Sequence, residues 1–501
     1  MLLLAVASSV AACSSDGAVR SADPVRSTTV SAPVPAPSAL LSRSPSPAPD
    51  VVPSIPSATA VRSSSPATAA AQVAAALPCP AAYAEPDPQR PVVTAALTVD
   101  GGTVTGTSRV VFTPDLPIGE LVFRLWAAAP RPRANGGGIE VTRVVVDGVA
   151  LRPLRPVPTL LRIPLAGTAP AGRPVIIELG WRLQLPTGAN DRLGVRGETA
   201  WFGSGLPLLA WVRGQGWATD AETANFAESA TSEVAELRSL SVTRAPGLTV
   251  LATGEQVSDD GRTAVFRARA VRDLMVAVGR FRTATASAAA PTGQDTQVLV
   301  GVGPGLPDDP ADVAREMARA LAVHAGRFGA FPYERLAVAV VPDLRGGVEY
   351  PGAVLLGTGQ AQGDATGSHE VAHEWWYGLV GANQGRDPWL DESFATYAEG
   401  LDRGTAAGYA ARSIPLDGRR RVGAPMTYWE GRSSYFRSVY VQGAAMLLEA
   451  RAAVGAAAFD EAIRCHVRRH AHRVTTPADL LASLRHLPAA VQVLRRYGAV
   501  D

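Results

Sequence analysis

His369, Glu370 and His373, together with Glu392 after eighteen intervening residues, are the side chains of this sequence best spaced to do chemistry. Positions four apart on an α-helix share a face, so His369 and His373 present two imidazole nitrogens to one point while Glu370 lies beside them. Two imidazoles and one carboxylate are a donor set for a tetrahedral zinc ion, and three protein ligands leave a fourth position for water. Gly381, Asn383, Gly385 and Asp387-Pro388 break the first helix and let the chain turn back before a second helical pattern begins near Asp391. Glu392 is then predicted to face the first helix and complete a site for one zinc ion. A zinc site with an open position points to hydrolysis, with Glu370 taking a proton from an acidified water and returning it to a leaving amine.

A five-residue His-Glu-x-x-His match alone also fits a polar helix with two surface histidines. Here the helix runs on into Glu374-Trp375-Trp376-Tyr377, which predicts packing against a core, and Glu392 follows at a ligand's spacing. Together with Trp389-Leu390-Asp391-Glu392, these residues resemble the aminopeptidase-N-type zinc metallopeptidases, a gluzincin family. Two more stretches carry the resemblance. Arg345-Gly346-Gly347-Val348-Glu349-Tyr350-Pro351-Gly352 follows a strand-like run over 336–342 and looks like the family's glycine-rich substrate edge. The resemblance makes Glu349 the group that grips a peptide's free amino end, with Gly346 and Gly347 letting a substrate backbone approach as an added strand. The alternative is an exposed edge strand bearing a charge.

Downstream, Ser434-Tyr435-Phe436-Arg437-Ser438-Val439-Tyr440-Val441-Gln442-Gly443 resembles the family segment whose tyrosine stabilises the transition state, which assigns that role to Tyr440, with Tyr435 assisting. A phenol is a neutral donor suited to a developing oxyanion; aromatics at helical spacing also serve as groove lining or core. The sequence departs from the family pattern at Val348, Tyr350, Glu374, Gln442 and around Asp391-Glu392-Ser393. Tyr350 adjoins the amine-gripping carboxylate, so removal of single amino-terminal residues is less firmly implied than peptide hydrolysis.

The elements that must hold these groups divide the chain. Residues 83–288 read as short β-runs between Gly, Pro and Asp: 92–99, 106–112, 121–126, 141–146, 175–179 and 263–267. They predict an antiparallel sheet domain, and the resemblance implies a β-sandwich or saddle walling one side of the cleft. Residues 289–501 then form a thermolysin-like, mainly α catalytic domain in an α+β multidomain protein. It opens with a helix over 308–329, capped by Asp308 or Asp309 before Pro310, and carries helical patterns at 445–451, 459–470 and 477–487. The large helical carboxy-terminal domain of longer family members is not in this sequence, which predicts a more open cleft. His466, His470 and His472 lie among Arg464, Arg468, Arg469 and Arg473, and are read as a solvated basic face because those cations repel a metal.

Residues 1–13 are apolar and end in Val10-Ala11-Ala12-Cys13, which looks like a bacterial lipoprotein signal peptide with Cys13 as the lipidated residue; a plain secretory signal is the alternative. Residues 14–82 form a Pro/Ser/Ala-rich tether that cannot bury a core. Together they predict an extracytoplasmic, lipid-anchored protein. In an oxidising compartment Cys79 and Cys465 invite a disulfide, although a buried thiol at Cys465 is an equal reading. A net charge of +2 over 501 residues gives no support to nucleic-acid binding. The leading expectation is a surface aminopeptidase acting on short peptides. Two others stand beside it, a metalloendopeptidase and a non-catalytic peptide-binding lipoprotein, and the joint presence of His369, Glu370, His373, Glu392 and Tyr440 argues against the last.

Overall fold

The computed structural model describes residues 75–187, 192–223, 231–289, 295–361 and 365–501. Cys13 and nearly all of the tether lie outside them. Among the described residues no helix is long and apolar enough to cross a membrane.

The amino-terminal half is built from β-strands whose alternation gives each one a wet and a dry face. In Val92–Asp100, Ala95, Leu97 and Val99 point into the core while Thr94, Ala96, Thr98 and Asp100 do not. Eight strands form the largest sheet, in the spatial order Glu255–Asp259, Thr263–Val271, Ala235–Thr243, Val92–Asp100, Thr103–Phe112, Val175–Gln184, Gly138–Val146 and Val149–Ala150. It is mixed, not antiparallel as the spacing suggested. Val92–Asp100 runs parallel to Ala235–Thr243, and before the latter the chain passes through two four-stranded sheets and a two-stranded one. One of the four-stranded sheets is ordered Thr249–Ala252, Met275–Gly279, Thr199–Gly203 and Leu193–Arg196. Gly106 is required by packing, since a Cβ there would lie 2.2 Å from the Trp181 ring.

A five-stranded sheet starts the second half, in the order Arg282–Ala288, Thr296–Val302, Arg335–Val340, Ala353–Leu356 and Gly347–Tyr350. The pairing of Arg282–Ala288 with Thr296–Val302 places it in this sheet, so hydrogen bonding sets the seam before Arg282 and not at 288/289. Leu336 to Val340 is buried on both faces, as a strand covered from two sides must be. Leu336, Val338 and Val340 share one buried cluster with residues of the crossover helix Pro310–Phe328. Ala337 and Ala339 share another with Trp201, Met275 and Ala277 of the four-stranded sheet. That second cluster brings the β region up to the site. The crossover helix begins as predicted, with Asp309 accepting from Ala311 N and Asp312 N and Pro310 at its first position.

Helices complete the structure: Thr366–Ala372, Trp389–Arg403, Gly443–Val454, Ala456–His470, Pro477–Leu484 and Pro488–Arg496. The last was not anticipated, and the helical reading of 477–487 ends early because Pro488 starts a separate helix. Two other expectations change. Cys79 and Cys465 are joined in a disulfide. His466 is not on a solvated face: it is buried, its ring lies parallel to that of Trp376, and Nδ1 bonds Ser483 Oγ at 2.9 Å. Burial holds its pKa well below the ordinary histidine value.

Candidate functional site

His369 lies on the helix Thr366–Ala372 and His373 is its last, capping residue. Their Nε2 atoms are 3.0 Å apart. Glu392, from the first turn of Trp389–Arg403, puts Oε2 at 3.2 Å from His369 Nε2 and 3.5 Å from His373 Nε2. The three predicted ligands thus converge, all buried. A second carboxylate fixes each ring from behind. His369 Nδ1 donates to Glu399 Oε2 at 3.2 Å, and His373 Nδ1 donates to Asp391 Oδ1 at 2.6 Å. Those bonds put the remaining lone pair of each ring on Nε2, facing the centre. The acids are held in turn by Tyr409 OH, which donates to Glu399 Oε1 at 2.8 Å, and by Gln384 Nε2, which donates to Asp391 Oδ2 at 2.8 Å.

The donor set fits a divalent cation. Glu349, Glu370, Asp391, Glu392 and Glu399 are all buried around it, a concentration of negative charge that a metal would balance. Burial works against the imidazolium of His369, yet hydrogen bonds to Glu392 and Glu399 outweigh it and raise the pKa to about 10. The same pairing overcomes the burial of Glu392 and holds it well below the carboxylate range. The cradle therefore attracts positive charge, whether proton or metal. Cys79, Glu461 and Cys465 also lie close together, but their sulfurs are spent in the disulfide.

Glu370 follows His369 into the same pocket. Burial raises its pKa to about 8 against the pull of His369 and His373, with Glu349 pushing the same way as burial. Its Oε2 is buried without a hydrogen-bond partner in the protein, which suits a group that exchanges protons with water or substrate. Gly347 makes room for it, since a Cβ there would lie 2.4 Å from Glu370 Cγ. Gly346 has φ +86, a conformation that favours glycine. Gly347–Tyr350 is the outermost strand of its sheet, leaving one backbone edge for an added strand.

Tyr440 stands on a widened helical turn, Arg437–Gln442, of the kind often found at functional sites. Its hydroxyl donates to Glu392 Oε1 at 2.5 Å, and its ring lies parallel to that of His369, 5.7 Å away. Gly443 lets this turn close on the glutamate helix, because a Cβ would meet Ser393 Oγ at 2.0 Å. Tyr435 is buried, between Trp429 and Tyr440, and its ring meets Tyr440 edge-on. It sits where it can set the angle of Tyr440.

The departures from the family pattern acquire reasons. Gln442 turns away to the loop 418–420, donating to Gly418 O and accepting from Arg420 N. Burial keeps Glu374 well above the carboxylate range, and its Oε2 accepts from Gly352 N at 2.8 Å. Tyr350 packs against the β region at Gly203, where a Cβ would lie 1.8 Å from its ring. Glu349 has Arg192 beside it, Nη2 to Oε1 3.6 Å. Sequence reasoning missed Arg192, Glu399 and the supporting role of Asp391. Glu399 lies seven residues after Glu392 on one helix face and was open to detection; Arg192 left no such signal.

Two imidazoles and one carboxylate that converge on one point are a donor set that fits zinc. Residues 360–496 match the Peptidase family M1 domain. Aminopeptidase N of Streptomyces lividans is 29% identical over 184 residues, 31% of this chain. The chain spans 22% of the length of that curated relative. An M1 zinc metallopeptidase from Deinococcus radiodurans shares the fold with a TM-score of 0.63 and 22% identity, over 82% of this chain and 94% of that one. A mutant of that protein bound to a Tyr-Ser-Ala substrate superimposes equally well, with a TM-score of 0.63 and 22% identity over 82% of this chain and 95% of the other.

Proposed function

We propose that this protein is a zinc-dependent peptidase that removes amino-terminal residues from peptides outside the cytoplasm. One observation carries the reading: His369, His373 and Glu392 converge within hydrogen-bonding distance beside a buried Glu370 oxygen that has no protein partner. The three ligands would hold a single zinc ion, which when bound supplies Lewis acidity to a carbonyl and to a water. Glu370 takes a proton from the attacking water and carries it to the leaving amine. Its Oε2, buried and without a protein partner, is placed to take and return that proton. Tyr440 OH, now on Glu392, turns to donate to the oxyanion. The edge strand Gly347–Tyr350 pairs with the substrate backbone, and Glu349 faces its amino end.

The amino-terminal sheets act as a saddle-like wall over a thermolysin-like catalytic domain, a reading supported by the apolar cluster that Ala337 and Ala339 share with Trp201 and Met275. The disulfide between Cys79 and Cys465 supports an oxidising compartment, and with Cys13 and the proline-rich tether it supports a lipid-anchored or secreted location. The test is hydrolysis of aminoacyl and N-acetyl-aminoacyl reporters with and without chelator. Chelation should abolish turnover and zinc restore it. Glu370→Gln should lower kcat by about 10²- to 10⁴-fold with zinc content unchanged by elemental analysis. Full activity in that variant, or in the chelated protein, would refute the proposal.

A further inference from the structure

Arg192 belongs to no motif. It sits at the start of the strand Leu193–Arg196, where its carbonyl accepts from Gly203 N at 2.9 Å. Its side chain is 2% exposed, and Nη2 lies 3.6 Å from Glu349 Oε1. The rings of Trp126 and Tyr350 border the guanidinium, with centroids 5.4 and 5.7 Å from Cζ. A planar cation held by two aromatic rings and a carboxylate has little freedom to leave. Glu349 is itself only 4% exposed, so the pair is shielded from the screening that weakens surface ion pairs.

A peptide ammonium arriving at Glu349 must share that carboxylate with a resident cation, and the two positive charges repel one another in a poorly screened site. An acylated amino end, or a peptide bond in the middle of a chain, carries no charge and meets no such repulsion. We propose that Arg192 is the specificity-setting positioning residue of the amino-end pocket, and that by compensating Glu349 it widens the substrate class to peptides with neutral or blocked amino ends. The inference rests on the reading of Glu349 as the group that faces the substrate's amino end.

The test is calorimetric binding of leucine amide and N-acetyl-leucine amide to the full-length, zinc-loaded protein, with the ratio of the two affinities as readout. Arg192→Met leaves Glu349 uncompensated and open to an ammonium, so the preference for the free amine should rise on the order of tenfold. Arg192→Lys retains the charge and should keep the ratio within about threefold of the parent. A ratio that stays level or falls in Arg192→Met, or that rises as far in Arg192→Lys, overturns the inference. Arg192→Gln combined with Glu349→Gln removes both charges and leaves neither orphaned; it guards against a single variant that does not fold. That double variant should bind the two ligands alike, and a surviving amine preference would overturn the inference. Glu349→Gln alone separates the two layers of the argument. If it leaves the ratio unaltered, the reading of Glu349 falls and takes the inference with it. If it abolishes amine preference while Arg192→Met changes nothing, only the role of Arg192 falls.

Discussion

The metal cradle takes its three donors and both supporting acids from the stretch between His369 and Glu399, whereas the pocket beside it joins Trp126 and Arg192 to Glu349 and Tyr350 across the contact between two sheets. In the cradle, helix periodicity does most of the aiming: four residues separate the histidines and seven separate Glu392 from Glu399. In the pocket, aim depends on how the sheets pack, through Gly203 under Tyr350 and Trp201 clustered with Ala337. The contrast teaches that the chemistry is encoded locally while its selectivity is encoded at a distance. Variation in the β region can therefore retune substrate choice with the cradle intact.

Four further experiments press on that contrast. Tyr440→Phe removes the one hydroxyl placed against Glu392 by the turn Arg437–Gln442, and should lower kcat by about 10²- to 10³-fold with little change in KM. Steady-state kinetics decide this, and a change confined to KM would make Tyr440 a binding residue. Gly347→Ala tests the point where the edge strand touches the cradle. Its Cβ would push the Glu370 side chain aside, so kcat should fall by about 100-fold while zinc content holds; wild-type kcat would mean that Glu370 works from another position.

Asp391→Ala leaves all three ligands in place but leaves His373 Nδ1 with only the longer bond to Trp376 O, at 3.2 Å. Zinc affinity measured by chelator competition should fall by about 10- to 100-fold, and an unchanged affinity would show that Trp376 O and the packing of the helices suffice to fix the ring. The smallest effect concerns Asp402, which accepts from Ser368 Oγ at 2.6 Å and pairs with Arg319 Nη2 at 2.7 Å. Burial opposes its ionisation, but these partners prevail and lower its pKa from 3.8 to about 2. The folded state thus binds its proton less readily than the unfolded state. The resulting stabilisation is complete above about pH 4 and is lost as pH falls toward 2. Thermal melts across that range should be flatter for Asp402→Asn than for the parent; parallel curves would remove Asp402 from the ties that hold the cradle.

Much of the fold was legible where side chains repeat with a fixed period. The strands near 92–99 and 106–112 and the capped helix after Asp309 occur close to their expected bounds, while the one expected at 175–179 runs on to Gln184. Pairing was not legible: the parallel match of Val92–Asp100 with Ala235–Thr243 joins strands far apart in sequence, and alternation says nothing about which neighbour a strand chooses. For the same reason nothing local to Arg282–Ala288 tells that it pairs with Thr296–Val302. His466 misled because the arginines around it dominate the local charge, while its burial against Trp376 comes from another helix.

What the sequence determined by itself was the reactive inventory. His369, Glu370, His373 and Glu392 announce a metal-assisted hydrolase because helical spacing and one reversal of the chain suffice to gather them. Only the tertiary structure decided that Cys79 meets Cys465 and that Arg192 is brought to Glu349. Those meetings depend on the packing of whole sheets and helices, and contacts between distant segments follow from the sum of many burial choices that no local spacing records.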